Sequence, residues 1–236
     1  CKVCRDSWVK TNPTWEVIEL DQDSVQGFIP SDIYDKILKF GGKWPEMIRA
    51  DVIRLYLVCA YGGLWVDSTN VCNQPLDDWL VESRLVDNIW LHWDFDGGCP
   101  TYNFLYSRTP NNEIFLKAFD SIIDDSSLHE GGYHRVSGAF KRSLDPKLKK
   151  KLKTEKQIGK SSNNTKPKQG VKIIANRFDL MATTVDPTFI EAIKIYPFYK
   201  LGHKFENNDK PLQSVFPSDS KLIYLLRSLS LLAENE

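Results

Sequence analysis

The sequence predicts an α/β fold, and three stretches carry that prediction. In PEMIRADVIRLYLVCAYGG, residues 45–63, apolar Ile48, Val52, Leu55, Tyr56 and Cys59 recur at the i, i+4, i+7 spacing of one helix face. Pro45 stands where a first turn tolerates it, and Gly62 stands where a left-handed C-cap takes glycine. LWVDST follows at once, a mostly apolar run of the kind that fills a buried strand in a mixed, mainly parallel sheet. Helix, tight turn and strand in that order are how α/β domains are connected. Further along, VDNIWLHWDF reads as a strand, GGCPTYNFLYS as a loop and strand, and NEIFLKAFDSIID as an amphipathic helix.

The remaining elements follow in chain order. Residues 2–11 predict a short helix carrying Val3, Trp8 and Val9. Asn12-Pro13 is a turn signal, and Trp15, Val17, Ile18 and Leu20 predict a strand behind it. Residues 21–39 read as loop and short helices, with Pro30-Ser31 as a start signal. HEGGYHRVSGAFKRSL enters another helix. From 141 to 170 the chain is lysine-rich and poor in core residues, and reads as a mobile loop or insertion. VKIIANRFDLMATT returns to strand pattern, and IYPFYKLGHKF is extended. At the end, residues 218–236 predict an amphipathic helix with Leu222, Leu225, Leu226, Leu229 and Leu232 on one face. That face packs on the core or on a partner, which leaves an oligomer open.

Totals narrow the function classes. The 236 residues suit one large domain with a sizeable core. Lys plus Arg equal Asp plus Glu at 31 each, so the molecule as a whole is no polyanion binder. The basic stretch lacks the aromatic interleaving of a nucleic-acid site, and no nucleic-acid partner is expected. Five scattered cysteines argue against a disulfide scaffold and for a reducing, cytoplasmic location, with peripheral attachment to a membrane left open. No apolar run is long enough to span a bilayer, so no transmembrane segment is expected. The chain starts on Cys and reads as trimmed at its N-terminus.

Candidate site residues gather around the 45–70 stretch. Asp67 is placed at the end of the LWV strand, where α/β sheets bind ligands. With Ser68 and Thr69 it offers oxygen ligands for a hard divalent cation bridging to a diphosphate. An aspartate capping a turn explains the same residues equally well. Asp51 and Arg54 lie three apart, on one face of the helix that leads to Asp67. A solvated internal ion pair is the plain reading, but much of that helix is apolar, and hydrogen bonding to a polyhydroxylated ligand would account for the charges. In HWDFDGG, Asp94 and Asp96 follow an aromatic strand and precede flexible glycines, which suits a general base or an ordinary turn. Trp90, Trp93 and Tyr102 can stack on the faces of a ring-shaped ligand, or simply fill the core.

RADVIRLYLVCAYGGLWVDSTN resembles the core of capsular-polysaccharide-synthesis glycosyltransferases, and more distantly the DXD-type sugar transferases, through Ala50, Asp51, Arg54, Tyr61, Gly62, Gly63 and Asp67. CRDSWVKTNPTWEVIELD is similar to that family's opening segment, and YPFYKLGHK to its late Pro-x-x-Lys-Leu-x-His-Lys segment. The resemblance implies a GT-A fold, a Rossmann-like nucleotide-sugar-binding sheet with flanking helices, in a single domain over 1–236. It implies Asp51, Arg54 and Gly63 on the donor sugar, and Ser68 with Lys204 or Lys200 near phosphate. It implies Mn2+ or Mg2+ held by Asp67, Thr69 and His203. Thr69 departs from the family's second acidic residue, which puts metal dependence in doubt.

The activity so implied is transfer of a monosaccharide from a nucleotide-diphosphate sugar, UDP-linked in the first instance, to a glycan or glycoconjugate acceptor. Inversion is favoured, with Asp94 slightly ahead of Asp96 as base. The main alternative is a non-catalytic sugar-nucleotide or glycan-binding module of the same fold. A third reading, an interaction protein using the basic stretch and the leucine face, would keep salt-sensitive binding after loss of Asp67.

Overall fold

The computed structural model describes residues 2–41, 45–81, 85–93, 100–128, 135–155 and 198–200. They fall into two compact units, one built from Ile18–Val66 and Glu82–Gln157, the other from Cys1–Val17, Asp67–Val81 and Ile158–Glu236. The expected strand at 171–184 and the expected leucine helix lie outside the described residues.

The first of these units is organised by the helix that begins at Pro45. Helices α2 (Ser31–Leu38) and α3 (Pro45–Tyr61) precede strand β1 (Gly63–Val66). Arg49 clamps the end of α2, its Nε donating to the Phe40 carbonyl at 2.8 Å and Nη2 to the Leu38 carbonyl at 2.7 Å. Helix α3 stops at Gly62, whose φ of +70° is the left-handed conformation expected there. The Gly62 amide donates to the Val58 carbonyl at 3.1 Å, closing the cap. A second device acts at the same end: the Asn111 amide donates to the Cys59 carbonyl at 2.7 Å. A Cβ on Gly62 would sit 2.9 Å from the Thr109 carbonyl carbon and 3.0 Å from the Pro110 nitrogen. Only a residue without a side chain allows the backbones to approach so closely. Tyr61 completes the junction, its hydroxyl donating to the Phe28 carbonyl at 2.8 Å.

Strand β1 pairs antiparallel with β4 (Pro100–Ser107), which pairs antiparallel with β3 (Ile89–Trp93), giving the order β1-β4-β3. All strand pairs among the described residues are antiparallel, whereas a mainly parallel sheet was expected. Nor is β1 a fully buried strand: all four of its residues are half-buried. It ends the three-strand order with β4 as neighbour on one side, and an apolar run alone cannot tell such a position from an interior one. Asp87 and Asn88, expected within a strand, instead form a tight turn with φ of 50° and 64°, and Val86 and Ile89 exchange both backbone bonds at 3.0 Å. Asp-Asn tolerates that left-handed pair better than most sequences.

One face of the sheet carries Leu91 paired with Leu105, and Trp65 paired with Leu105 from the other side. These join a core supplied by Ile48, Val52 and Leu55 of α3. Helix α5 (Glu113–Ile123) adds Phe115, Ala118, Phe119 and Ile122 at helical spacing, and is capped by Asn112, whose side chain accepts from the Ile114 amide at 3.0 Å. Phe115 stacks on Phe140 of α6 (Arg135–Ser143), with centroids 5.9 Å apart. On the opposite face, Trp90 and Phe104 pack edge to face at 4.9 Å and are fully buried, so Trp90 is a core residue.

The lysine-rich stretch is helical where it is described. Residues Pro146–Glu155 form α7, contrary to the expected loop. Asp145 caps the helix by accepting from the Lys147 and Leu148 amides at 2.8 and 3.2 Å. Leu144 is buried and Leu148 packs on the core, which offsets the composition.

In the other unit, helix α1 (Lys2–Thr11) lies where it was expected. Strand β2 (Asn70–Cys72) pairs antiparallel with β5 (Phe198–Lys200), and α4 (Leu76–Trp79) follows β2. The buried Asn12 ties these elements together. Its amide group donates to the Trp8 carbonyl at 3.1 Å, and its side-chain oxygen accepts from the Leu76 amide at 2.6 Å. Ser7 Oγ accepts from the Cys72 amide at 2.8 Å, and Trp8 Nε1 donates to the Asn70 carbonyl at 2.7 Å. The Asn-Pro turn forms as expected, with the Trp15 amide on the Asn12 carbonyl at 3.1 Å. Asp77 holds it from outside, accepting from Thr14 Oγ1 and Trp15 Nε1 at 2.9 Å each. No strand forms at 15–20, where Ile18 is 54% exposed. A strand needs a partner edge, and no ladder forms there.

Two measurements test these packing and burial effects. Gly62→Ala should lose about 2–4 kcal/mol in urea unfolding, from the left-handed φ and the backbone overlap together. Gly63→Ala, at φ +77° with open space at its Cβ among the described residues, should lose only about 1–2 kcal/mol. Equal losses would refute the close-approach explanation. Burial pushes the Cys59 and Cys72 thiols up to about 11. The folded chain therefore holds those protons more tightly than the unfolded one. The stability tied to neutral thiols is complete below pH 9 and declines as the pH rises towards 11. Urea midpoints from about pH 8 to about pH 11 should fall less in a Cys59→Ala/Cys72→Ala chain than in the parent.

Candidate active site

Asp51 and Arg54 meet on α3 as their spacing requires, with Arg54 Nη2 3.5 Å from Asp51 Oδ1. The pair is not on a solvated face: the Asp51 and Arg54 side chains are 12% and 13% exposed. Arg54 Nε also donates back to the Ala50 carbonyl at 3.0 Å, which fixes the guanidinium plane along the helix. That plane lies over Trp65 of β1, its central carbon 5.4 Å from the ring centroid. An arginine over an indole face gains a cation–π attraction that strengthens as water is excluded. Trp65 was not among the residues singled out from sequence. Its signal was weak, an aromatic inside an apolar strand, and the pairing depends on how α3 crosses β1.

Gly63 opens β1 opposite Ser107. It gives the strand its turn out of α3, so its backbone conformation alone accounts for glycine at that position. Together, Asp51, Arg54 and Trp65 offer acceptor oxygens, donor nitrogens and an aromatic face within one unit, the three kinds of group that recognise a sugar ring.

Asp67 follows Val66 in the chain and belongs to the other unit. Its carbonyl accepts from the Asn70 amide at 2.9 Å, so Asp67 opens a four-residue turn into β2. The aspartate is half-buried, Ser68 is exposed and Thr69 is 2% exposed. One carboxylate beside an exposed hydroxyl is an oxygen-donor set that a Mg2+- or Mn2+-diphosphate complex can use, since such ions keep water and phosphate as their other ligands. The buried Thr69 fits that set less well. Among the described residues no group of three His, Cys, Asp or Glu side chains gathers as a metal site. Asp94, Asp96, His203 and Lys204 lie outside the described residues. Lys200 ends β5 opposite Asn70, and His92 and Trp93 stand in β3 opposite Thr101 and Pro100.

Removing one partner from a buried ion pair leaves the other charge uncompensated. Asp51→Ala should therefore destabilise the chain by about 2–4 kcal/mol in urea unfolding, and Asp51→Ala/Arg54→Met should recover part of that loss. If the double variant loses the sum of the two single losses, the pair contributes nothing jointly.

Comparisons with known proteins show what the chain is similar to. One curated relative, "Inositol phosphoceramide mannosyltransferase 2" of Schizosaccharomyces pombe (strain 972 / ATCC 24843), is 29% identical over 122 residues, covering 50% of this chain and 35% of the relative. The chain thus spans about a third of that protein's length. A solved structure described as "PaToxG Glycosyltransferase" overlaps 63% of this chain and 48% of that one, at 15% identity and a TM-score of 0.34, too slight a likeness to argue from. Residues 1–115, which hold Asp51, Arg54, Trp65 and Asp67, match the family model described as Capsular polysaccharide synthesis protein. Over those residues, just under half of the chain, it is similar to the capsular polysaccharide synthesis protein family, as its motif order led us to expect.

Proposed function

We propose that this chain is a metal-assisted glycosyltransferase of GT-A type. It moves a monosaccharide from a nucleotide-diphosphate sugar, UDP-linked in the first instance, to a hydroxyl of a glycan or glycoconjugate. The observation that carries the reading is the mostly buried Asp51–Arg54 pair with Arg54 over Trp65. A buried charged pair beside an aromatic face suits sugar recognition better than it suits stability, because burying both charges costs desolvation. The family match over residues 1–115 and the mannosyltransferase named among its relatives support the same class of reaction.

In this reading Asp51, Arg54 and Gly63 face the donor sugar. Asp67 would hold Mn2+ or Mg2+ with Thr69 and His203, in a DXD-like element, and Ser68 and Lys204 would lie near phosphate. The cation supplies Lewis-acid stabilisation of the diphosphate leaving group when bound. Asp94 or Asp96 takes the proton of the acceptor hydroxyl as its oxygen bonds to the anomeric carbon and the bond to diphosphate breaks. Attack from the face opposite the leaving group inverts the configuration. The buried Cys59 and Cys72 thiols suit a reducing, cytoplasmic setting, and the leucine face at 218–236 would serve any self-association. Among the described residues no helix is long and apolar enough to cross a membrane.

A second reading is favoured by one observation. Thr69 is neither acidic nor exposed, which suits a module that binds a sugar nucleotide or glycan without turning it over. A thermal-shift screen of UDP-, GDP- and dTDP-sugars, each with and without Mn2+, separates the cases. Saturation at about 100 times the dissociation constant adds about 2.7 kcal/mol, several degrees for a chain of this size. We expect one nucleotide-sugar to stabilise the parent only with metal and to leave Asp67→Ala unmoved. Release of free sugar or transfer, lost in Asp67→Ala, marks the enzyme; stabilisation without turnover marks the binding module. No shift with any donor would sink both.

A further inference from the structure

The chain is neutral as a whole, yet its charge is unevenly placed. Between residues 141 and 172 stand twelve Lys or Arg and two acids, against totals of 31 each, so the rest of the chain is acidic. The described part of that stretch is ordered as the end of α6 and the helix α7. Between Lys141 and Lys151 it carries Lys141, Arg142, Lys147, Lys149, Lys150 and Lys151. The lone acid there, Asp145, is engaged in capping α7.

Geometry gives the helix two sides. Leu148 packs on the core, and Leu144 is buried just before the helix begins. Lys147, Lys150 and Lys151 are exposed and sit at the i, i+3, i+4 positions of the outer face. The two core-facing leucines therefore hold a row of ammonium groups outward on a rigid element. A mobile loop would spread the same charges in all directions.

We propose that the outer face of α7 docks on an anionic lipid surface. Three features choose that occupant. Five of the six cations are lysines, point charges that answer a diffuse negative field and lack the bidentate fork that selects single phosphates. No aromatic residue stands between 141 and 151, so nothing there stacks on nucleic-acid bases. And because the chain outside 141–172 is acidic, an anionic bilayer repels that part and attracts the basic stretch to which α7 belongs, which favours one orientation as well as recruiting the molecule. The proposal rests on α7 and does not depend on the sugar-transfer reading.

Co-sedimentation of the full chain with vesicles tests it. The vesicles are phosphatidylcholine alone, or phosphatidylcholine with about a third phosphatidylserine, at low and high NaCl. Binding to the anionic vesicles only, abolished by salt, is the expected result. Each lysine near such a surface contributes about a fivefold factor in partitioning. The variant Lys147→Gln/Lys150→Gln/Lys151→Gln should then bind roughly 100-fold more weakly. Substitutions of exposed side chains typically shift stability little, so its urea midpoint should stay close to the parent's, and Lys2→Gln/Lys10→Gln on α1 serves as a surface-lysine control that keeps binding. Equal binding to neutral vesicles, no binding by the parent, or undiminished binding by the α7 variant each overturns the proposal. So does tighter binding to a single-stranded oligonucleotide than to anionic vesicles at equal phosphate.

Discussion

Helix α3 ends because Gly62 turns left-handed while the Thr109-Pro110 backbone presses against it, and because the Asn111 amide takes the Cys59 carbonyl. These contacts, made with residues about fifty positions along the chain, fix the last turn of α3 and the first residue of β1 together, and the sheet depends on that junction. Strand β1 then pairs with β4 in one register, Trp65 opposite Leu105. Arg54, two turns before the helix end, meets Trp65 on the sheet face that α3 covers. The two glycines differ in duty: one permits a close approach, the other only a backbone angle.

The Asp51–Arg54 pair is the chemical consequence of that junction. An exposed ion pair at this spacing contributes little, since water competes for both charges. A pair withdrawn to 12% and 13% exposure is a different object, costly to desolvate and strongly oriented by what surrounds it. The Ala50 carbonyl and the Trp65 ring restrict the guanidinium to one plane, so its donors point in few directions. Orientation of this kind is what ligand recognition needs, because the entropy of ordering the side chain is lost before binding.

The unit containing α1 and β2 solves a different problem. It is held by polar side chains that reach backbone groups far away in sequence: Ser7, Trp8 and Asn12 bond to residues 70–76. Such bonds satisfy buried amides and carbonyls that short strands leave open, and each buried group left unmet is costly. Asp77 plays the same part outside, gripping the Asn-Pro turn. The turn before Asn70 places Asp67 at its first position, so a turn former and a ligand candidate are the same residue.

By itself the sequence determined the elements whose hydrogen bonds are local. Pro45, the apolar period of α3 and Gly62 marked that helix from end to end, and Asn12-Pro13 and the 113–123 pattern were equally legible. The spacing of Asp51 and Arg54 guaranteed that they would meet. Tertiary structure alone decided the rest. Strand direction depends on which distant edge a segment finds, so β1 paired antiparallel and residues 15–20 formed no strand. Burial depends on what crosses a face, so of the two readings open to the pair, solvated or withdrawn from water, the fold chose the enclosed one and added Trp65. For α7, Leu148 packed on the core and Leu144 buried just before the helix give a run of lysines one side that faces inward, which depends on what the segment meets in space.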